Sequence, residues 1–139
     1  MIIDATDTVL GRLATRVAKL LLKGETVDVV NVEKTVLSGD PKKIVERYHK
    51  RRGMQNKGNP EHSAKWPRRP DYLFKRVIQG MLPKNRTGEI VLHKLTAHVG
   101  TPKEFEGEKA EKLKTKSAST LQCRQITLEQ LARRLGWNP

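Results

Sequence analysis

The chain has 139 residues, 36% of them apolar, and its 28 Lys and Arg outnumber 15 Asp and Glu to give a net charge of +13. That length suits one domain with a real core, and there is no apolar run of roughly eighteen residues to span a membrane. A single cysteine, Cys123, excludes an internal disulfide and a cysteine-based metal site.

In chain order, Met1-Ile2-Ile3-Asp4-Ala5 reads as a short buried strand, and it lacks the basic start and long apolar stretch of a secretion signal, so a cytoplasmic protein is expected. A helix follows, with Leu10, Leu13, Ala14, Val17, Ala18 and Leu21 at three- and four-residue spacing, Asp7 or Thr8 as its cap, and Gly24 beyond its end. Its opposite face carries Arg12, Thr15, Arg16, Lys19 and Lys23. Residues 26–32 form a valine-rich strand whose Val27, Val29, Val30 and Val32 imply cover on both faces. Strand, helix and strand in this order predict a βαβ unit and a parallel sheet, hence an α/β fold.

Residues 35–37 make another short strand, and Asp40-Pro41 caps and opens a helix that buries Ile44, Val45 and Tyr48 before reaching Lys50-Arg51-Arg52. A second helix starts at Pro70-Asp71, with Asp71 as cap, an apolar stripe of Leu73, Phe74, Val77, Ile78 and Met81, and Pro83 as its stop. Ile90, Val91 and Leu92 belong to a further helix, and residues 96–99 to the last main strand. Residues 101–122 turn polar and lose any apolar period, which predicts a charged surface extension. Thr127-Leu128-Glu129-Gln130 has capping-box spacing, and the helix it opens ends at Gly136, before Trp137.

The charge is concentrated: residues 1–40, 41–100 and 101–139 carry −1, +11 and +3. From Arg47 to Arg86 twelve Lys or Arg stand against only Glu61 and Asp71, interrupted by Gly53, Gly58, Pro60, Pro67 and Pro70. One-sign density on a hinge-rich segment suits a partner charged along a line. A membrane surface would want a basic amphipathic helix with a broad apolar face, which residues 51–70 lack. Folded RNA is therefore the expected partner, with 47–70 as a basic binding loop. Its contacts are expected from Lys50, Arg51, Arg52, Lys57, Lys65, Arg68 and Arg69, and beyond the loop from Lys75, Arg76, Lys84 and Arg86. Exposed arginines at 51, 52, 68 and 69 would contribute little to folding. Trp66, between Lys65 and Pro67, either stacks on an unpaired base or anchors the loop to the core, and the sequence leaves both open.

Catalytic patterns fail on mechanism. Gly53-Met54-Gln55-Asn56-Lys57-Gly58 has the glycine spacing of a phosphate loop, but Asn59-Pro60 stands where Lys-Ser/Thr is needed, and Pro60 opposes the helix that must follow. The histidines His49, His62, His93 and His98 show no metal-ligand spacing. Asp4 and Asp7, at the end of the first strand, leave one alternative, a small metal-dependent α/β enzyme acting on nucleic acid, set against plain capping by Asp7. Ser38-Gly39-Asp40 reads as a cap, since the Asp40 carboxylate repels phosphate.

Several segments together resemble a known family. Leu10-Gly11-Arg12-Leu13-Ala14 leads into Val17-Ala18-Lys19-Leu20-Leu21; Val29-Val30-Asn31-Val32-Glu33, Leu37-Ser38-Gly39, Gly80-Met81-Leu82-Pro83-Lys84-Asn85-Arg86 and Gly100-Thr101-Pro102 follow in order. The chain resembles the universal large-subunit ribosomal protein L13 family in its archaeal form. The resemblance implies a three-layer α/β/α domain with a four-stranded parallel sheet, no catalysis and no cofactor. It further implies early assembly onto large-subunit (23S-type) rRNA, neighbouring ribosomal proteins as partners, and neither a membrane nor a small-molecule substrate. Over residues 103–126 the resemblance implies nothing, while the terminal helix at 127–136 looks like the archaeal ending.

Overall fold

A computed structural model describes residues 1–105, 107, 110–113 and 117–139. Three short strands, β1 (Ile2–Asp4), β2 (Val27–Val30) and β4 (Leu95–Ala97), make a parallel sheet in the order β1-β2-β4, with Ile3 opposite Val29 and Val29 opposite Ala97. The first crossover is helix α1 (Leu10–Leu22), whose expected stripe of Leu10, Leu13, Ala14, Val17, Ala18 and Leu21 is buried throughout. Its cap differs from expectation: Val9 takes the N-cap position without a side-chain bond. Asp7 sits at φ 57°, and the Thr8 hydroxyl donates instead to the Ala5 carbonyl at 2.7 Å.

The sheet has three strands among the described residues, not four. Val32–Lys34 forms a 3-10 turn entered from Asn31 at φ 56°, and this bend takes the chain out of the sheet just after β2. Strand β3 (Val36–Ser38) consequently pairs antiparallel with β5 (Gln125–Thr127) in a separate two-stranded sheet. A single parallel bridge, Val9 to Val36, links it to the chain before α1. The open edge of β1 is met by one residue of the extension: Glu111 N donates to Ile2 O at 2.9 Å, and Asp4 N donates to Glu111 O at 3.2 Å.

The two faces of the main sheet are covered unequally, with Val30 buried on the less covered face. Ile3, Val27, Val29, Leu95 and Ala97 are buried, whereas Ile2, Asp4 and Asp28 are half-buried and Thr96 is exposed. Between β3 and β4 lie α2 (Pro41–Gly53), α3 (Pro70–Gln79) and α4 (Arg86–His93). Asp40 caps α2, its Oδ1 accepting from Lys42 N at 3.1 Å. Helix α3 corrects another expectation: Arg69 is the N-cap, Pro70 opens the helix and Asp71 lies buried in its first turn. Met81, placed in the α3 stripe by its spacing, falls beyond the helix and is exposed. The last main strand starts one residue earlier than read, and Val99 is exposed.

One core joins these elements, with Phe74, Leu13, Leu21, Ile78 and Leu131 fully buried at its centre. The terminal helix α5 (Leu128–Arg134) closes it with Leu128, Leu131 and Ala132, and Thr127 caps it through Gln130 N at 3.2 Å. Gly136 stops it at φ 90°, a conformation that L side chains seldom adopt. The charged extension is less open than its composition suggests: Ala118 is buried and its amide donates to Asp7 O at 2.9 Å. The parts of that expectation falling on residues 106, 108, 109 and 114–116 lie outside the described residues.

At the start of α4 the chain packs against its own preceding turn. Asn85 Oδ1 accepts from Gly88 N at 3.0 Å, and a Cβ on Gly88 would lie 1.9 Å from the Pro83 carbonyl oxygen. Backbone, not a pliable side chain, blocks it. Gly88→Ala is expected to cost about 3 kcal/mol and to lower the thermal midpoint by about 10 °C, as read by circular dichroism.

Candidate RNA-binding surface

The cationic segment begins on a helix rather than in a loop: α2 runs to Gly53, so Lys50, Arg51 and Arg52 occupy its last turn, where cations complement the helix dipole. From residue 54 to 69 the chain leaves as an arm with one 3-10 turn, Pro60–His62. The Ser63 hydroxyl donates to Met54 O at 3.2 Å and ties the two sides of the arm together near its base.

Trp66 anchors the arm to the protein. Half-buried against the core, it meets the Tyr48 ring edge-on, with centroids 5.8 Å apart and planes at 90°. The Arg51 and Arg76 guanidinium carbons lie 5.0 and 5.5 Å from its ring centroid. Arg51 also lies 5.7 Å from the Tyr48 ring centroid. Cation–π and edge-to-face contacts of this kind contribute about 0.5–1.5 kcal/mol each. They join α2, the arm and α3 in one cluster. Burial pushes the Tyr48 phenol above its ordinary range, against the opposing pull of Arg51 and Arg47, so the ring stays neutral.

Arg52, Arg69 and Arg76 are also held by the protein. Arg52 Nη1 donates to Leu135 O at 3.0 Å, at the end of α5. Arg68 lies against the same helix end, its Nη1 3.7 Å from where a Gly136 Cβ would stand. Arg69 Nη2 pairs with Asp71 Oδ2 at 2.9 Å and stacks on Tyr72 at 5.3 Å, while Arg76 Nη1 donates to Gln79 Oε1 at 2.8 Å. Both ends of the arm, Arg52 and Arg68, thus converge on the C-terminus of α5. Of the four arginines expected to be exposed, Arg51 and Arg52 are half-buried, whereas Arg68 and Arg69 are exposed.

The lysines behave differently. Among the described residues no hydrogen bond or ion pair engages the side chains of Lys50, Lys57, Lys65, Lys75, Lys84 or Arg86. All but the half-buried Lys75 are exposed. Lys57 and Lys65 line an open hollow of about 470 Å³ with Arg52, Asn56 and Trp66. Trp66 also borders a second hollow, of about 370 Å³, with Arg76, Gly80 and Lys84. Arg51, Arg52, Arg69 and Arg76 build the platform, and the unengaged cations, mostly lysines, stand exposed around it. That division was invisible in a sequence that shows only twelve cations, because it is set by contacts across as many as 83 residues.

The carboxylates of the enzyme alternative are used by the fold. Asp4 Oδ1 accepts from Thr6 N at 3.1 Å, Thr6 Oγ1 at 2.7 Å and Asn31 Nδ2 at 3.2 Å, and Lys112 Nζ lies 3.8 Å from Oδ2. Burial would raise its pKa, but the Thr6 and Asn31 hydrogen bonds, with the Lys112 charge, outweigh burial and hold it below 3.8. Asp7 is exposed, and among the described residues no three ligating side chains converge on a metal-sized site. His98 stands 3.9 Å from Asp28 and edge-on to Phe105.

Fold and surface together define an α/β binding protein with a self-anchored cationic arm. Residues 1–104 match the model of the family described as Ribosomal protein L13. Over 139 aligned residues the chain is 42% identical to large ribosomal subunit protein uL13 of Aeropyrum pernix, covering 99% of this chain and 90% of that protein. It is 39% identical to uL13 of Sulfolobus acidocaldarius over 98% of this chain and 93% of that protein, and 37% identical to uL13 of Haloarcula marismortui over 99% and 92%. The chain belongs to the ribosomal protein L13 family. These relatives are ribosomal proteins and not enzymes, and the metal-dependent alternative has no support.

Two outcomes follow from the geometry. Trp66→Ala is expected to cost about 2 kcal/mol and Arg52→Gln about 1 kcal/mol, while Lys57→Gln and Lys65→Gln stay within about 0.5 kcal/mol of the parent, all by urea denaturation. Asp4, its pKa depressed on folding, adds stability that is present above the unfolded pKa and fades as pH falls through the folded one. Asp4→Asn should therefore be less stable near neutrality and lose less than the parent on acidification below about pH 4, by thermal melts across pH.

Proposed function

We propose that this protein is a structural constituent of the archaeal large ribosomal subunit, in the cytoplasm, where it binds and stabilises large-subunit rRNA from early in assembly. Similarity to archaeal uL13 proteins over nearly the whole chain carries the reading. The surface chemistry supports it: outward lysines on a platform of held arginines present mobile point charges to phosphates without committing to base edges. The contact set is Lys50, Lys57, Lys65, Lys75, Lys84 and Arg86, with Arg51, Arg52, Arg68, Arg69, Arg76 and Trp66 positioning them and adding whatever guanidinium edges remain free. Neighbouring large-subunit proteins are further partners, meeting the 101–122 extension. No helix among the described residues is long and apolar enough to cross a membrane.

Each phosphate neutralised releases condensed counterions, so affinity for large-subunit rRNA should fall steeply with salt. Changing Lys50, Lys57, Lys65 and Lys84 together to Gln is expected to reduce the slope of log affinity against log salt by about three. Thermal unfolding should stay in place. Filter binding across a salt series reads the slope; wild-type binding by the variant would remove the arm from the interface.

A further inference from the structure

Helix α1 carries a second cationic surface that lies outside the arm. Arg12, Arg16, Lys19 and Lys23 recur at steps of four, three and four residues, which places all four on one line along the exposed face, about 16 Å long. The helix contains no acidic residue, and no ion pair or side-chain hydrogen bond engages any of the four among the described residues. A face shaped only by solvation normally interleaves acids, because like charges four residues apart repel and a cation in the first turn opposes the dipole. Lys19 and Lys23 complement the dipole at the C-terminal end, whereas Arg12 in the first turn opposes it and the i,i+4 pairs repel. This arrangement calls for an external anion.

Two further features sit beside the stripe. Gly11 occupies an exposed helical position where an added Cβ would meet nothing within 4 Å, so nothing inside the protein requires a glycine there. Glycine weakens a helix, and its use on an open face suits close approach by a partner's backbone. An open hollow of about 430 Å³ lies alongside, between Gly11, Arg12 and Thr15 of α1 and Val36 and Ser38 of β3. The Thr15 hydroxyl also lies 3.8 Å from Met81 Sδ, which brings the stripe next to the exposed segment bearing Lys84 and Arg86.

We propose that the exposed face of α1 is a second phosphate-binding surface for structured RNA, with Arg12, Arg16, Lys19 and Lys23 tracking a sugar–phosphate backbone and Gly11 letting that backbone approach the helix. This rests on the rRNA-binding reading and extends it from the arm to α1, which meets Met81 through Thr15, while Lys84 shares a hollow with Trp66. Evenly spaced cations on a straight line match a polymer charged along its length.

The test uses the full chain and a transcript of large-subunit rRNA. Arg12→Gln, Arg16→Gln, Lys19→Gln and Lys23→Gln are combined in one variant and compared with the four-lysine arm variant and the parent. The expected result is a salt slope reduced by about three, at least tenfold weaker binding at the lowest salt measured with the two lines converging as salt rises, and a thermal midpoint close to the parent's. Gly11→Gln, which has room in the free protein, should weaken binding several-fold without lowering the midpoint. An unchanged slope in the α1 variant, as for a stripe that serves an acidic protein partner instead, overturns the proposal while parent binding leaves the rRNA reading intact. Failure of the parent itself to bind the transcript overturns both.

Discussion

Everything on the cationic surface depends on Trp66 being kept against Tyr48, Arg51 and Arg76. A sixteen-residue connection with two Lys, two Arg and only Glu61 against them has little apolar material of its own, and like charges drive such a segment apart. One aromatic side chain counters this by giving two guanidinium groups a π-face and Tyr48 a ring to meet edge-on. Arg52 adds a second anchorage at the end of α5. The C-terminal helix thereby reaches the arm through bonds that span most of the chain's length.

Anchoring arginines inward and leaving lysines outward suits the two side chains. A guanidinium stacks on rings and forks onto carbonyls with a rigid plane, whereas an ammonium on a long stem makes no such demand and stays mobile. If the platform is fixed before RNA arrives, binding does not have to supply the ordering of the arm, only the settling of lysine side chains. The fold contributes the same economy at a larger scale: β1, β2 and β4 hold α1, α3 and α4 in one body, so the α1 stripe and the Lys84 to Arg86 segment keep a fixed relation.

Much of this was legible in the residues. The α1 stripe, the Asp40 cap, the Thr127 cap and the α/β class follow from periodicity and local hydrogen bonding, which act over a few residues. The count of strands did not, because Asn31 in a left-handed conformation turns the chain out of the sheet, and β3 finds its partner at residues 125–127, far along the chain. No local pattern encodes that pairing. Asp71 looked like a cap since it follows Pro70, yet Pro at the first helical position makes Arg69 the cap and leaves Asp71 to pair with it. The basic region was visible as composition, while the roles of its arginines came from tertiary contacts alone. The contacts that hold Trp66 come from Tyr48, eighteen positions before it, and Arg76, ten positions after it, beyond the reach of any local pattern.

The central claim is that the arm is ordered by the protein's own aromatic cluster before it meets RNA. Backbone ¹⁵N relaxation of the free protein over residues 54–69 tests it most directly. Anchoring predicts order parameters near 0.8, close to those of a rigid backbone, falling in Trp66→Ala; values below about 0.6 in the parent, unchanged by that substitution, would contradict it.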